Sequence, residues 1–499
     1  MTHSHQPTER SGASGDEVVL AVDIGTSGTR AIAYDGEYTV RAAAATPIAT
    51  TSGAGGTSTQ RWPEVRTAVA ASIREAASRS PAPIAALVLS GTASCLAPSW
   101  PGPGGDRHID EVILWADTRA SAEQAEIDAL TRSLHSYQRT LCPSHVSYWP
   151  AKLRWLEREY SPLVAQARFG GAKDHFFELM TGEWWTDPMT AASTGVFDSD
   201  GWCWDAALLA AIGVRAGQLP QVRDATACAP LRADAAAIVG LPAGIPVVLG
   251  GMDGPLAQLG AAGLSGQIAT CTVGTSIAFR SRAAVRTPDP ARRLWCYPIS
   301  TEQWVVGGAG SNGGNILDWT AALVRAPGSL GGMLSDALAR PVDPALVFLP
   351  YLNGERSPLW RDDLRGAIVG LASHHGPADV ARAALDGVAG AVQELAAAVA
   401  ACVGLPSEVR LTGGFVRDGG CAQLITDALG IATSVPDPAE ATATGAAVLG
   451  WLALGRAEPE PPLPARATQE RSPDPAAHAA LCAKSALMRD LRKLLFPPS

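Results

Sequence analysis

Two stretches of this chain repeat one layout, and the repetition limits what it can fold into. Glu17–Asp23 (EVVLAVD) is apolar enough for a buried strand, Gly25-Thr26-Ser27-Gly28-Thr29 is a turn, and Arg30–Tyr34 (RAIAY) is a second strand. In the second half, Gln267–Val273 is a strand, Gly274-Thr275-Ser276 a turn, and Ile277–Arg280 a strand. Two copies of one supersecondary unit predict a duplicated α/β domain with a cleft between the copies. Both turns would then face one ligand. Backbone amides and hydroxyls in such turns can hold phosphate oxygens, and a nucleoside triphosphate needs donors along its chain of phosphates. Taken singly, each stretch is equally a plain β-hairpin. Neither is a Walker loop, because no Gly-Lys-Ser/Thr comes after it.

Between the copies, the apolar run Ile245–Leu249 enters Gly250-Gly251-Met252-Asp253-Gly254-Pro255. Glycines on both sides let backbone and substrate come close to Asp253. A carboxylate at the mouth of a buried strand ordinarily binds a metal or takes a proton; an acid in a Gly-rich turn is the plain alternative. Asp23, at the end of the first strand, suits Mg²⁺ held through water, since Mg²⁺ keeps several waters and takes few carboxylates. A third Gly-rich turn, Thr412-Gly413-Gly414-Phe415, comes after the strand Glu408–Leu411.

Other polar groups stand at element ends. Ile84–Leu89 is a buried strand ending at Ser90-Gly91-Thr92-Ala93-Ser94-Cys95. Glu111–Trp115 is another, with Asp117 and Arg119 just beyond it, which either grip hydroxyls of a small polar ligand or cap the next helix. Asp174 and Asp187 either line a cleft or cap helices. Trp62–Ser78, Pro150–Tyr160, Asp379–Cys402, Ala441–Leu454 and Ala476–Leu495 read as helices, and Pro459–Pro475 as a Pro-rich linker.

With 499 residues the chain suits two or three domains of roughly 150–250 residues. Hydrophobic residues at 47% and charged ones at 17% make a folded body. A net charge of −9 without a basic block argues against nucleic acid. The nine cysteines show no Cys-x-x-Cys spacing, so neither zinc nor a redox pair is expected, and reduced thiols suit the cytoplasm. No apolar run reaches the roughly 18–20 residues of a membrane span, and the start lacks a signal-peptide core. His3 and His5 lie in a polar leader, read as a disordered tail rather than a metal site.

The residues resemble the FGGY carbohydrate kinase family. The most specific stretch is Gly366-Ala-Ile-Val-Gly370-Leu371, seven further residues, then Asp379-Val380-Ala-Arg-Ala383-Ala384-Leu385-Asp386, which fits a family signature throughout. Lys152-Leu-Arg-Trp-Leu156 matches a second signature more loosely. Asp23-Ile-Gly-Thr-Ser27, Gly250-Gly-Met-Asp-Gly254 and Thr412-Gly-Gly-Phe415 occur in the family's order and spacing, and the likeness spans roughly residues 18–455.

The resemblance implies an α/β fold of two ribonuclease-H-like domains, of the actin/sugar-kinase superfamily, around an interdomain cleft. Residues 1–16 would be the leader, 17–247 a sugar-binding domain, 248–456 an ATP-binding domain, and 457–499 the linker and terminal helix. ATP and Mg²⁺ are the implied cofactors, and a small sugar or sugar acid is the implied partner. The sequence leaves a homodimer open. Asp253 is the implied catalytic base. Gly25, Thr26, Ser27, Gly274, Thr275 and Ser276 are expected at the phosphates, with Gly313, Gly413, Gly414 and Arg417 also on the nucleotide and Asp23 at Mg²⁺. Thr92, Ala93, Asp117, Arg119, Glu355 and Arg356 are expected at the sugar.

Within the family the details look most like gluconokinases: Asp253-Gly254, Gly313-Gly314, Tyr351-Leu-x-Gly-Glu355-Arg356-Ser-Pro-Leu-Trp360, and Thr181-Gly-x-x-x-x-Asp187 before Ala191-Ala-Ser193. One departure is Thr92-Ala93-Ser94-Cys95, where gluconokinases and xylulokinases usually carry Met-His. Gluconate therefore leads, with a ketopentose or polyol as the alternative. A gluconate carboxylate wants a cation; Arg119 or Arg356 either supplies it with bidentate geometry or is an arginine in an ordinary ion pair.

Overall fold

The computed structural model describes residues 17–53, 55–102, 107–264, 267–324, 330–437, 440–457 and 466–497. The expected leader lies outside them, as does the first part of the Pro-rich segment, 459–465.

Both repeated hairpins form. Val18–Ile24 pairs antiparallel with Gly28–Tyr34, and Ile268–Val273 with Ile277–Ala283. Each hairpin nucleates a larger sheet of the same design. In the first, Val40–Pro47 flanks the second hairpin strand, and Ile84–Gly91 then Pro246–Met252 run parallel beyond the first. In the second, Trp304–Ala309 takes the flanking place, and Glu408–Thr412 then Thr433–Asp437 run parallel. Among the described residues, edge strands extend these to six and seven strands.

The central strands are apolar on both faces because helices cover both. Trp62–Arg79 covers one face of the first sheet through Val65, Val69 and Ile73. The other face is covered from the far end of the chain. Helix Ala441–Ala453 lies against Val19 and Val88, where a Cβ on Gly450 would come within 2.5 Å of both side chains. Asp253–Ala262 crosses that helix so closely that a Cβ on Gly260 would sit 1.9 Å from the Ala441 carbonyl oxygen, and one on Gly445 would sit 2.0 Å from that of Leu256. The two halves thus share one core.

The Pro246–Met252 strand completes the first sheet, so a boundary at 247/248 falls inside a strand; the chain leaves this sheet at Met252. A second difference lies in the expected linker. Arg466–Arg471 forms an edge strand on Thr433–Asp437, because an open strand edge offers unpaired backbone groups that even a polar segment can satisfy.

Helix Pro377–Val403 is long and apolar enough, by length and composition, to cross a membrane, which a search for an uninterrupted apolar run does not anticipate. Here it packs on the second sheet, and its buried acid is paired within the fold. Asp386 accepts from Arg382 at 2.8 Å and from Lys484 of the terminal helix Pro475–Leu495 at 2.8 Å. The terminal helix therefore docks on the second domain. Lys484→Met is expected to lower stability by roughly 2 kcal/mol, less than a fully orphaned buried charge because Arg382 remains on Asp386. Thermal unfolding of the variant checks this.

Candidate active site

The Gly250-Gly251 pair sets the geometry of the centre. Gly250 has φ +65, and a Cβ there would lie 1.8 Å from the Leu89 carbonyl oxygen. The pairing with Ile84–Gly91 shifts register between Val248 and Gly251, a bulge that re-aims the end of the strand. The residue it aims is Asp253, the first of helix Asp253–Ala262. Its carboxylate accepts the Gly254 N–H at 2.8 Å. Burial raises its pKa, opposed by Arg280, by the Gly254 and Ala93 N–H groups and by Arg356.

Asp253 lines two cavities. One, of about 180 Å³, is walled on the first-domain side by Thr92, Ala93, Trp115 and Tyr148, and on the other by Ser276, Arg280, Tyr297 and Arg356. The other, of about 510 Å³, is walled by Asp23, Arg30, Thr412, Gly413, Gly414, Arg417 and Glu440. Among the described residues, three belong to both: Asp253, Thr272 and Arg280.

Asp23 accepts the Ser90 hydroxyl at 3.0 Å. Burial, then the neighbouring Asp253 charge, lifts its pKa to about 6. Two neighbouring carboxylates, each costly to ionise, form a centre that a cation would relieve.

Thr272 holds the place in the second hairpin that Asp23 holds in the first. Its Oγ1 lies 2.8 Å from that of Thr412 and accepts Arg280 Nη1 at 3.0 Å. Gly413 must lack a side chain, since at φ +99 a Cβ would sit 2.4 Å from the Val273 carbonyl oxygen.

The remaining expected residues divide. Thr92, Ala93 and Arg356 line the smaller cavity. Arg356 stacks on Trp115 at 4.2 Å, donates to the Gly310 carbonyl at 2.7 Å, and keeps a buried Nε without a partner among the described residues. Asp117 and Arg119 instead bond to one another at 2.9 Å, with Asp117 also accepting Ser58 N–H and Arg119 reaching Glu111. Glu355 accepts from Ser311 N–H and Asn312 Nδ2, and burial lifts its pKa to about 7. Asp117, Arg119 and Glu355 line neither cavity. Asp174 and Asp187 take the capping alternative, and both pair with buried Lys173.

Of the turns, Ser276 lines the smaller cavity, and Gly274 is clasped by Gly314 N–H at 2.7 Å. Gly313 packs on the same turn, where a Cβ would meet Ser276 at 2.8 Å. Thr275 is exposed. Gly25, Thr26 and Ser27 do not line the larger cavity; the Thr26 carbonyl is held by Gln60 and Thr50, each at 2.8 Å.

Sequence reading misses Arg280, Arg30, Glu440 and the aromatic lining Tyr148, Trp295, Tyr297 and Trp360. An arginine closing the apolar run Ile277-Ala-Phe is the available signal for Arg280. Trp360 closes the motif that begins at Tyr351; the other three aromatics carry no signal, because a ring in a cavity wall and a ring in a core look alike in sequence. Lys152 is buried and donates to the carbonyls of Leu114 and Ser147 at 2.7 and 3.0 Å, tying together the segments that carry Trp115 and Tyr148.

The model of the FGGY carbohydrate kinase N-terminal domain matches residues 18–260, and that of the C-terminal domain matches 269–454. The chain belongs to the FGGY family of carbohydrate kinases. A gluconokinase of Bacillus subtilis (strain 168) is 31% identical over 369 residues, 70% of this chain and 71% of that protein. A xylulose kinase of Escherichia coli (strain K12) is 28% identical over 408 residues, 78% of this chain and 81% of that one. Among solved structures, a gluconate kinase from Lactobacillus acidophilus superposes with TM-score 0.89 at 25% identity, covering 96% of this chain and 98% of its own. A xylulose kinase from the same organism gives 0.90 at 25% identity, covering 96% and 99%. This FGGY kinase is thus an ATP-dependent carbohydrate kinase, with the two-domain fold expected for it.

Proposed function

We propose that this FGGY kinase transfers the γ-phosphate of ATP to D-gluconate, with Asp253 as the base. The observation that carries the base assignment is the position of Asp253 in the wall shared by the two cavities. The smaller one has the scale of a single sugar acid and is the acceptor site. The larger, ending in the Thr412–Gly414 turn and Arg417, is the nucleotide site. Asp253 takes the proton of the attacking hydroxyl, and raised basicity suits it to that task.

Charge in the acceptor cavity supports an anionic substrate. Its ionisable lining includes Asp253, Arg280 and Arg356, two cations to one anion. Arg356 lines only the acceptor cavity, so it is the group for the carboxylate, the reacting hydroxyl lying at the other end. Arg119 is committed to Asp117 and Glu111 and is not assigned that role. The gluconokinase relatives point the same way. Thr92-Ala93 in place of Met-His favours the second reading, a ketopentose or polyol.

Asp23 fits Mg²⁺, because its carboxylate faces a second one across the cavity and both are destabilised as anions. When bound with ATP, Mg²⁺ would supply neutralisation of phosphate charge. The free thiols support a cytoplasmic setting.

The deciding experiment is coupled ADP release with Mg·ATP against D-gluconate, D-xylulose, D- and L-ribulose, glycerol and erythritol. The highest kcat/KM on gluconate is expected; a ketose or polyol in first place would overturn the substrate assignment. Arg356→Gln should raise KM for gluconate about 10–100-fold, the worth of a charge-assisted hydrogen bond, while leaving slow turnover of the neutral analogue D-glucitol unchanged. Asp253 acts as an anion and burial raises its pKa, so activity should fall with acid at a pH above the ordinary carboxylate range, and a kcat/KM profile at subsaturating substrate reads this.

A further inference from the structure

We propose that Arg280 is a further catalytic residue, whose guanidinium contacts the phosphoryl group as it passes from nucleotide to acceptor. The inference rests on reading the two cavities as nucleotide and acceptor sites, not on which acceptor is used.

Of the described arginines that line these cavities, Arg30 and Arg417 line only the larger and Arg356 only the smaller. Arg280 is the cation in the wall common to both. Arg30 is engaged with Glu440 at 2.8 Å, whereas Arg280 is held through neutral hydroxyls. Thr272 accepts its Nη1 at 3.0 Å, and Thr272 in turn meets Thr412 at 2.8 Å. The anchor comes from the two strands that carry the phosphate-side turns. It orients the guanidinium through Nη1, while the Asp253 carboxylate in the same wall balances part of its charge. Gly254 lies beside it, a Cβ there falling in ordinary van der Waals contact with Arg280 Nε at 3.4 Å. That Nε is buried and has no hydrogen-bond partner among the described residues, so the group holds donor capacity that the protein does not use.

In the transfer step the bond from γ-phosphorus to the bridging oxygen breaks as the bond to the acceptor oxygen forms. ADP leaves with the electron pair, and the acceptor's proton goes to Asp253. Charge spreads over the three equatorial oxygens of the moving group. A pre-oriented cation beside that path stabilises the transition state more than either ground state, so its removal should appear in kcat rather than KM. Arg280 gains and loses no proton.

The test compares Arg280→Gln and Arg280→Lys with Arg356→Gln, each first checked for ATP binding and melting temperature. Turnover is measured on D-gluconate, on neutral D-glucitol and in acceptor-independent ATP hydrolysis. Arg280→Gln is expected to lower kcat about 100-fold or more on both acceptors and in hydrolysis, with KM values for ATP and acceptor changed by about threefold or less. Arg280→Lys should recover part of the loss. Added guanidinium ion should partly restore Arg280→Ala. A loss confined to gluconate and expressed in KM would overturn the proposal and make Arg280 a carboxylate anchor. A kcat for Arg280→Gln near that of the unaltered enzyme would also overturn it. Should gluconate itself fail as substrate, the comparison runs on the acceptor that turns over and on ATP hydrolysis, so failure of the substrate reading leaves this test intact.

Discussion

Asp253→Asn is expected to lower kcat about 10²–10⁴-fold, the usual contribution of a positioned general base, while nucleotide affinity changes little. The amide keeps the shape of the carboxylate and can still accept the Gly254 N–H, so the loss reports the missing proton acceptor rather than a distorted turn. Arg280 and Arg356 both act to hold Asp253 ionised, and with a neutral residue between them the cavity gains positive charge. The KM for an anionic acceptor should therefore stay level or fall. Steady-state kinetics with isothermal titration of ATP separates these quantities. A variant turning over at near the normal rate would remove Asp253 from the role of base.

Gly445→Val is expected to be the most damaging substitution outside the cavities, costing about 3 kcal/mol or more and reducing activity beyond the loss of folded protein. A Cβ on Gly445 would sit 2.0 Å from the Leu256 carbonyl oxygen and 3.1 Å from Gly260 N. Those neighbours are backbone of the helix that begins at Asp253, and backbone cannot turn aside as a flexible side chain can. The helices must part, which opens contacts in the core formed with Val19, Val88 and Trp451, and overpacking of a dense core is itself destabilising by roughly 1–3 kcal/mol. Parting them also moves Asp253, and small displacements at a reacting centre are costly in rate. Gly445→Ala should give a milder version of both effects. Thermal unfolding and specific activity per folded molecule check the two parts. A valine variant with an unchanged melting temperature would show that the crossing is looser than these distances require.

The duplicated hairpin, the apolar strands and the long helices are readable in the chain because each depends on local periodicity and turn chemistry. Val18–Ile24, Trp62–Arg79 and Pro377–Val403 fall where apolar spacing puts them. The strand Arg466–Arg471 is not readable, since its sequence is polar and its reason to extend is the open edge of Thr433–Asp437. The membrane-length character of Pro377–Val403 escapes for a related cause: charges scattered through the helix interrupt a run read by eye, while the mean over the helix stays apolar.

The site divides along the same line. Asp23, Asp253 and the Gly-rich turns stand out because glycine beside a lone polar group is a local signal. Asp117, Arg119 and Glu355 carry the same kind of signal, yet the fold supplies each with partners from other segments: Ser58 for Asp117, Glu111 for Arg119, Ser311 and Asn312 for Glu355. A charge's availability to a ligand depends on what else reaches it, and no spacing rule records that. The sequence alone determined the duplicated architecture, the family and the carboxylate at its centre, because these arise from short-range pattern. Only the tertiary structure decided that Asp253, Thr272 and Arg280 share one wall between two cavities. That wall is assembled from a strand end, a helix start and the second hairpin, and it exists only once the close crossing at Gly260 and Gly445 brings the two halves into a single core.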